Sequence, residues 1–204
     1  MIYDISMLIH EDMQVYKNKP EKAPKITVDG THQTSSAHES RIEMNLHTGT
    51  HMDFPLHMIP QGKTSETEQL KPLIGQAKVF DMTQCKDHIG LDDVKKLNIN
   101  KDDFILFKTQ NSMTDAFLME FIYVNEAASE YLKNQQIRGV GIDGLGIERA
   151  QKDHPTHKIL LGADIIIIEG LRLKDVPEGD YQLYALPLKI KDVEALPLRA
   201  ILID

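Results

Sequence analysis

The chain has 204 residues, 41% of them hydrophobic and 26% charged, with a formal net charge of −8. That length suits one sizeable core, so a single domain over residues 1–204 is expected, and the acidic balance argues against a nucleic-acid backbone or an anionic membrane as partner. No apolar run approaches the roughly 20 residues that span a bilayer, the opening MIYDISMLIHEDM lacks a secretory pattern, and the lone Cys85 excludes an internal disulfide or thiolate metal cluster, which together predict a soluble, cytoplasmic protein.

In chain order, residues 17–40 are polar and predict a long loop or flap. SRIEMNLH (40–47) alternates, with Ile42, Met44 and Leu46 on one side and Arg41, Glu43, Asn45 and His47 on the other, which predicts a strand whose wet face His47 extends. AKVFDM (77–82), DFILFKT (103–109), IRGVGID (137–143) and ADIIIIEG (163–170) are short, apolar and bounded by Gly, Pro or Asp, as buried strands are. LDDVKKL (91–97) and NEAASEYLKNQQ (125–136) have helical composition, the second with Asn125 at the N-cap. Pro155 is placed as an early helical residue, and ALPLK (185–189) and ALPLR (195–199) predict neighbouring strands. The alternation predicts a mixed α/β arrangement with part of its sheet parallel.

Two patterns invite chemistry. RGVGIDG contains a literal G-x-G-x-x-G (Gly139, Gly141, Gly144), but the glycines fall within a strand instead of opening a helix, so nucleotide binding is not expected; Asp143 at its end reads as a turn-capping aspartate. HTGTHMDFPLH (47–57) holds His47, His51, Asp53 and His57 at positions of equal parity, and an extended chain would aim all four to one face. Gly49 and Pro55 disfavour a helix there, so a strand ending in a tight turn is expected. Imidazoles with a carboxylate and no sulfur suit Zn²⁺, Mn²⁺ or Fe²⁺ better than Ca²⁺. Eleven residues rarely complete such a site; His154, His157 and Glu169, the last at the end of the isoleucine strand, are the candidate distant partners.

HTGTHMDFPLH resembles the H-x-G-T-H-x-D-x-P-x-H signature of the cyclase family of metal-dependent hydrolases, which includes bacterial kynurenine formamidases and isatin hydrolases. YDIS (3–6), HKILLG (157–162), IIEGLRLKDVPEGDY (167–181), YALPLKI (184–190) and LPLRAIL (196–202) resemble the family's remaining elements in order. The resemblance implies a swivelling β/β/α domain with a mixed sheet, assembled as a dimer or tetramer. It implies two zinc ions, or manganese instead, bridged by Asp53, with His47 and His51 on one, His157 and Glu169 on the other, and His57 as the acid–base residue. Thr48 and Thr50 would orient ligands. The implied reaction is hydrolysis of a small non-peptide amide, N-formylkynurenine to kynurenine and formate in the first instance. A cyclic amide or lactone, or metal and ligand binding without turnover, are the alternatives. The chain departs from formamidases at Phe54, where a small residue is usual, and over 141–155, which predicts an altered pocket.

Overall fold

A computed structural model describes residues 1–67 and 69–204. The elements in chain order are β1 (Ile2–Asp4), β2 (Lys25–Gly30), β3 (Glu39–Glu43), β4 (His51–Asp53), β5 (Ile74–Asp81), β6 (His88–Ile89), α1 (Leu91–Val94) and β7 (Phe104–Lys108). There follow β8 (Tyr123–Val124), α2 (Glu126–Asn134), β9 (Gly139–Ile142), α3 (Pro155–Gly162), β10 (Ile166–Glu169), β11 (Gly179–Pro187) and β12 (Ala195–Ile203).

The main sheet runs β1-β12-β11-β5-β7-β9-β10-β4, and β4 pairs back onto β12. That second pairing closes a ring from β12 round to β4, with β1 sharing the β12 edge beyond β4. Pairings β5–β7, β7–β9 and β9–β10 are parallel, and those of β4, β11 and β12 are antiparallel. The predicted mixed α/β fold is thus present, and closure removes most free strand edges.

Period-two alternation separates two cores. Met52, Phe54, Leu73, Val79, Phe104, Leu106, Ile168 and Leu183 pack inside the barrel. Phe80, Ile105, Phe107, Val140, Ile142 and Ile167 point outward and are covered by Ala128 and Leu132 of α2 and Leu160 and Leu161 of α3. Each fully buried large apolar side chain contributes about 1.5–3 kcal/mol against exposure. Asn125 caps α2, its Oδ1 accepting from the Ala128 N–H at 2.9 Å, as its position in the sequence predicts. The glycines of β9 serve packing: a Cβ on Gly139 would lie 2.4 Å from the Phe104 ring and one on Gly141 2.6 Å from Leu106. The nucleotide pattern is therefore a close-approach surface inside the sheet.

Two expectations fail in the N-terminal third. Residues 17–40 are not one loop: they hold 3-10 turns at Tyr16–Asn18 and Pro20–Lys22 and the strand β2. SRIEMNLH does not bury one face, because β3 stops at Glu43 and pairs only with β2, leaving Ile42 51% exposed. The alternation is real, but among the described residues no layer covers Ile26, Val28 and Ile42 of the hairpin. The predicted helix over 91–97 is a single turn, α1. The strand over 185–189 belongs to the longer β11, which pairs with β12 as expected.

Candidate metal centre

The shared face of 47–57 is only half right. His51 and Asp53 lie on one face of β4, while His47 comes from the preceding turn and His57 from a 3-10 turn at Pro55–His57. The turn forms because Asn45 Oδ1 accepts from the His47 N–H and Gly49 takes φ +71°, a left-handed conformation natural to glycine. The glycine turn therefore precedes the strand and does not end it.

Register brings in Glu169. In the antiparallel β4–β10 pair, Glu169 lies opposite His51 and Ile167 opposite Asp53, so His51, Asp53 and Glu169 share the outer face. Gly170 (φ +69°) follows at once, and a Cβ there would meet the Gly49 carbonyl at 2.5 Å. The two left-handed glycines thus let the turns beside His51 and Glu169 touch. His157, in the first turn of α3, projects its Nε2 to 3.2 Å from Glu169 Oε1 and 3.7 Å from Asp53 Oδ2.

The resulting cluster is tight and dry. His47 Nδ1 is 3.1 Å and His51 Nε2 3.5 Å from Asp53 Oδ1, and His51 Nε2 is 3.3 Å from Glu169 Oε2. Hydrogen bonds on the far ring nitrogens set the tautomers: His51 Nδ1 faces the Gly49 carbonyl at 2.9 Å and His157 Nδ1 faces Glu148 Oε2 at 3.0 Å. Both leave Nε2 aimed at the carboxylates, as metal-ligating histidines do. Neither oxygen of Asp53, which is 2% exposed, receives a hydrogen bond. A buried carboxylate without donors is costly unless a cation meets it, so the donor set fits a divalent ion held by nitrogen and oxygen.

The electrostatics of the metal-free cluster agree. Burial disfavours charge on His51 and His157, but Glu169 and Asp53, with Glu148 for His157, more than offset it and raise both, His157 to about 10. Burial alone would raise Glu169, yet His157 and His51 hold it well below the usual carboxylate range; Asp53 is also lowered, by His47 and His51. His57 goes the other way. Burial, aided by the neighbouring His47 and His157, lowers it and keeps it neutral at pH 7. Its ring lies 4.2 Å from that of His47 and 5.5 Å from that of His157.

His47, His51, Asp53, His57, His157 and Glu169 therefore all converge. His154 does not point at this centre: its side chain is 55% exposed and lies 3.4 Å from Glu148 Oε1. Thr48 and Thr50 do not touch the imidazoles either; their hydroxyls donate to the Lys22 and Gly170 carbonyls at 2.9 and 2.6 Å and tie loops together. Phe54 packs with Met52 into the barrel interior, on the face of β4 opposite Asp53, so it is not a wall of the cluster. A cavity of about 460 Å³ is lined by Asp53 and Phe54 together with Leu73, Arg138, Leu161 and Ile166, and by none of the imidazoles. The residue missed by sequence reasoning is Glu148. It sits in a stretch that looks like a loop, and its contact with His157 depends on how that loop meets α3.

A closed mixed barrel carrying a histidine–carboxylate centre on its outer face defines a class, and comparison with known proteins identifies it. The cyclase family pattern ("Putative cyclase") matches residues 3–149. A kynurenine formamidase of Salinibacter ruber is 30% identical over 206 residues, spanning 100% of this chain and 97% of that protein. Two solved structures, one of a "potential metal-dependent hydrolase with cyclase activity" and one of a "predicted metal-dependent hydrolase" from Bacillus stearothermophilus, are each 55% identical and cover 99% of this chain, with TM-scores of 0.94 and 0.91. They are covered over 96% and 97% of their own lengths. The chain belongs to the cyclase family.

Proposed function

We propose that this chain is a metal-dependent hydrolase that cleaves the C–N bond of a small non-peptide amide, N-formylkynurenine first, yielding kynurenine and formate. The observation that carries the reading is Asp53, a buried carboxylate without a hydrogen-bond donor, ringed by nitrogens of His47, His51 and His157 at 3.1–3.7 Å. The substrate is suggested by the relative named kynurenine formamidase. His47, His51 and Asp53 would hold one ion and Asp53, His157 and Glu169 a second, zinc or manganese by the chemistry of the donor set. Bound there, such ions lower the pKa of water to about 7 and polarise a carbonyl oxygen.

The protein's own part falls on His57. Neutral and half-buried beside His47, it can take the proton of the attacking water and return it to the departing amine nitrogen. The water oxygen bonds to the formyl carbon, the C–N bond breaks, and formate and the free amine result. The exposed β2–β3 hairpin, with Ile26, Val28 and Ile42 uncovered, suits a homodimer or tetramer.

The test is hydrolysis of N-formylkynurenine by purified protein, before chelation, after it, and after zinc or manganese is restored. Metal-restored turnover at about 10⁴ M⁻¹s⁻¹ or above is expected. Activity that survives complete metal removal overturns the reading; bound metal without turnover moves the substrate to cyclic amides or lactones. His57→Ala is expected to lower kcat by about 10²–10⁴-fold with metal content unchanged, and loss of metal would make His57 a ligand.

A further inference from the structure

Glu148 lies just outside the ring of groups that face the centre and is 4% exposed. Its Oε2 accepts from the His157 backbone N–H at 2.8 Å and faces Nδ1 of the same residue at 3.0 Å. Its Oε1 has no hydrogen-bond partner and lies 3.4 Å from Nδ1 of His154. The preceding residue, Ile147, donates its N–H to Glu169 Oε1 at 2.6 Å. Two consecutive residues of one loop therefore hold the two candidate ligands that come from outside the 47–57 segment.

We propose that Glu148 is a positioning residue of the metal centre, which fixes the ring of His157 with Nε2 directed at Asp53 and Glu169 and strengthens that nitrogen as a donor. The inference rests on the metal-dependent reading given above. A carboxylate on the far nitrogen of a ligating imidazole orients the ring and raises its basicity, effects worth about 10–100-fold in metal affinity. A bland role exists, because the N–H of His157 is among the unpaired donors of the first turn of α3 and Glu148 satisfies it. That role requires only a neutral acceptor. The ring of His51, by contrast, has only a neutral acceptor on its far nitrogen, the Gly49 carbonyl, so the full charge is particular to His157. Burying a full carboxylate with one oxygen unbonded costs more than an amide would, and the excess is repaid where its charge is felt, across the His157 ring.

The discriminating experiment is zinc affinity of the full chain, measured by competition with a chromophoric chelator, for wild type, Glu148→Gln and Glu148→Ala. The glutamine amide oxygen still accepts both N–H groups, so Glu148→Gln keeps the helix cap and removes only the charge. Its zinc affinity should fall about tenfold, and that of Glu148→Ala about a hundredfold. His154→Ala should change affinity less than either. Wild-type zinc binding with unchanged affinity in Glu148→Gln, whatever the alanine variant does, overturns the positioning role and leaves a helix cap. Absence of zinc binding by the wild-type chain overturns the metal reading itself, and the inference with it.

Discussion

Two aspartates of this protein are almost equally buried and have opposite surroundings. Asp143, at the end of β9, is 4% exposed and accepts four hydrogen bonds, from the backbone N–H and hydroxyl of Thr109 and of Ser112, at 2.6–3.2 Å. Asp53, on β4, is 2% exposed and accepts none. Burial pushes the Asp143 carboxyl above the usual range, with its four donors offsetting part of that; Asp53 is held below the range by imidazoles. The first is a knot that ties the loop after β7 to β9, and its serine needs no nucleophilic role. The second, left without donors among the described residues, is the group proposed to bind metal. Burial alone does not distinguish a structural carboxylate from a functional one; the bonding partners do.

The contrast can be broken by exchanging each carboxylate for its amide. Asp53→Asn should remove metal binding and lower turnover by roughly 10³-fold or more. Undiminished metal content in that variant would place Asp53 with Asp143. Asp143→Asn should do the reverse. Amide hydrogens would confront donors that now find a carboxylate, at a cost of about 1–3 kcal/mol for each donor left unmet, read as a melting temperature lower by about 5 °C, with zinc affinity intact. Reduced zinc affinity in that variant would show that the two carboxylates are coupled.

A smaller effect sharpens the comparison through pH. His157 in the metal-free protein is raised from 6.5 to about 10, so its protonated form stabilises the fold fully below about pH 6.5. That contribution is lost as pH rises through about 10, and the metal-free melting temperature should fall by a few degrees between those limits. Metal binding displaces this proton, so zinc affinity should rise with pH and the loaded protein should lack the decline. Parallel melting curves for the metal-free and zinc-loaded forms, recorded from pH 6 to 10, would contradict the assignment of His157.

The chemistry of the centre was legible in the chain because its donors are dense there. Three histidines and an aspartate within 47–57 cannot easily be surface decoration, and Glu169 ends a β-branched run where a charge must be justified. Strands over 77–82, 103–109, 137–143 and 163–170, the Asn125 cap and the helical start at Pro155 were likewise written locally, in apolar runs, turn residues and capping chemistry. Choosing His157 over His154 required the family resemblance; the geometry then separates them by burial, 4% for His157 against a 55% exposed side chain for His154.

Other features were decided only by the tertiary structure. That Glu169 meets His51 follows from the β4–β10 register, and barrel closure from the short β4–β12 pairing, neither of which has a local signal. The exposed face of SRIEMNLH, the inward turn of Phe54 and the contact of Glu148 with His157 depend on what packs against each segment. The physical reason is range. Propensity, alternation and capping act over a few residues and are encoded where they act. Register, burial and the partner of a buried carboxylate are set by how separate segments meet, whether those lie far apart in the chain, as β4 and β10 do, or only nine positions apart, as Glu148 and His157 do.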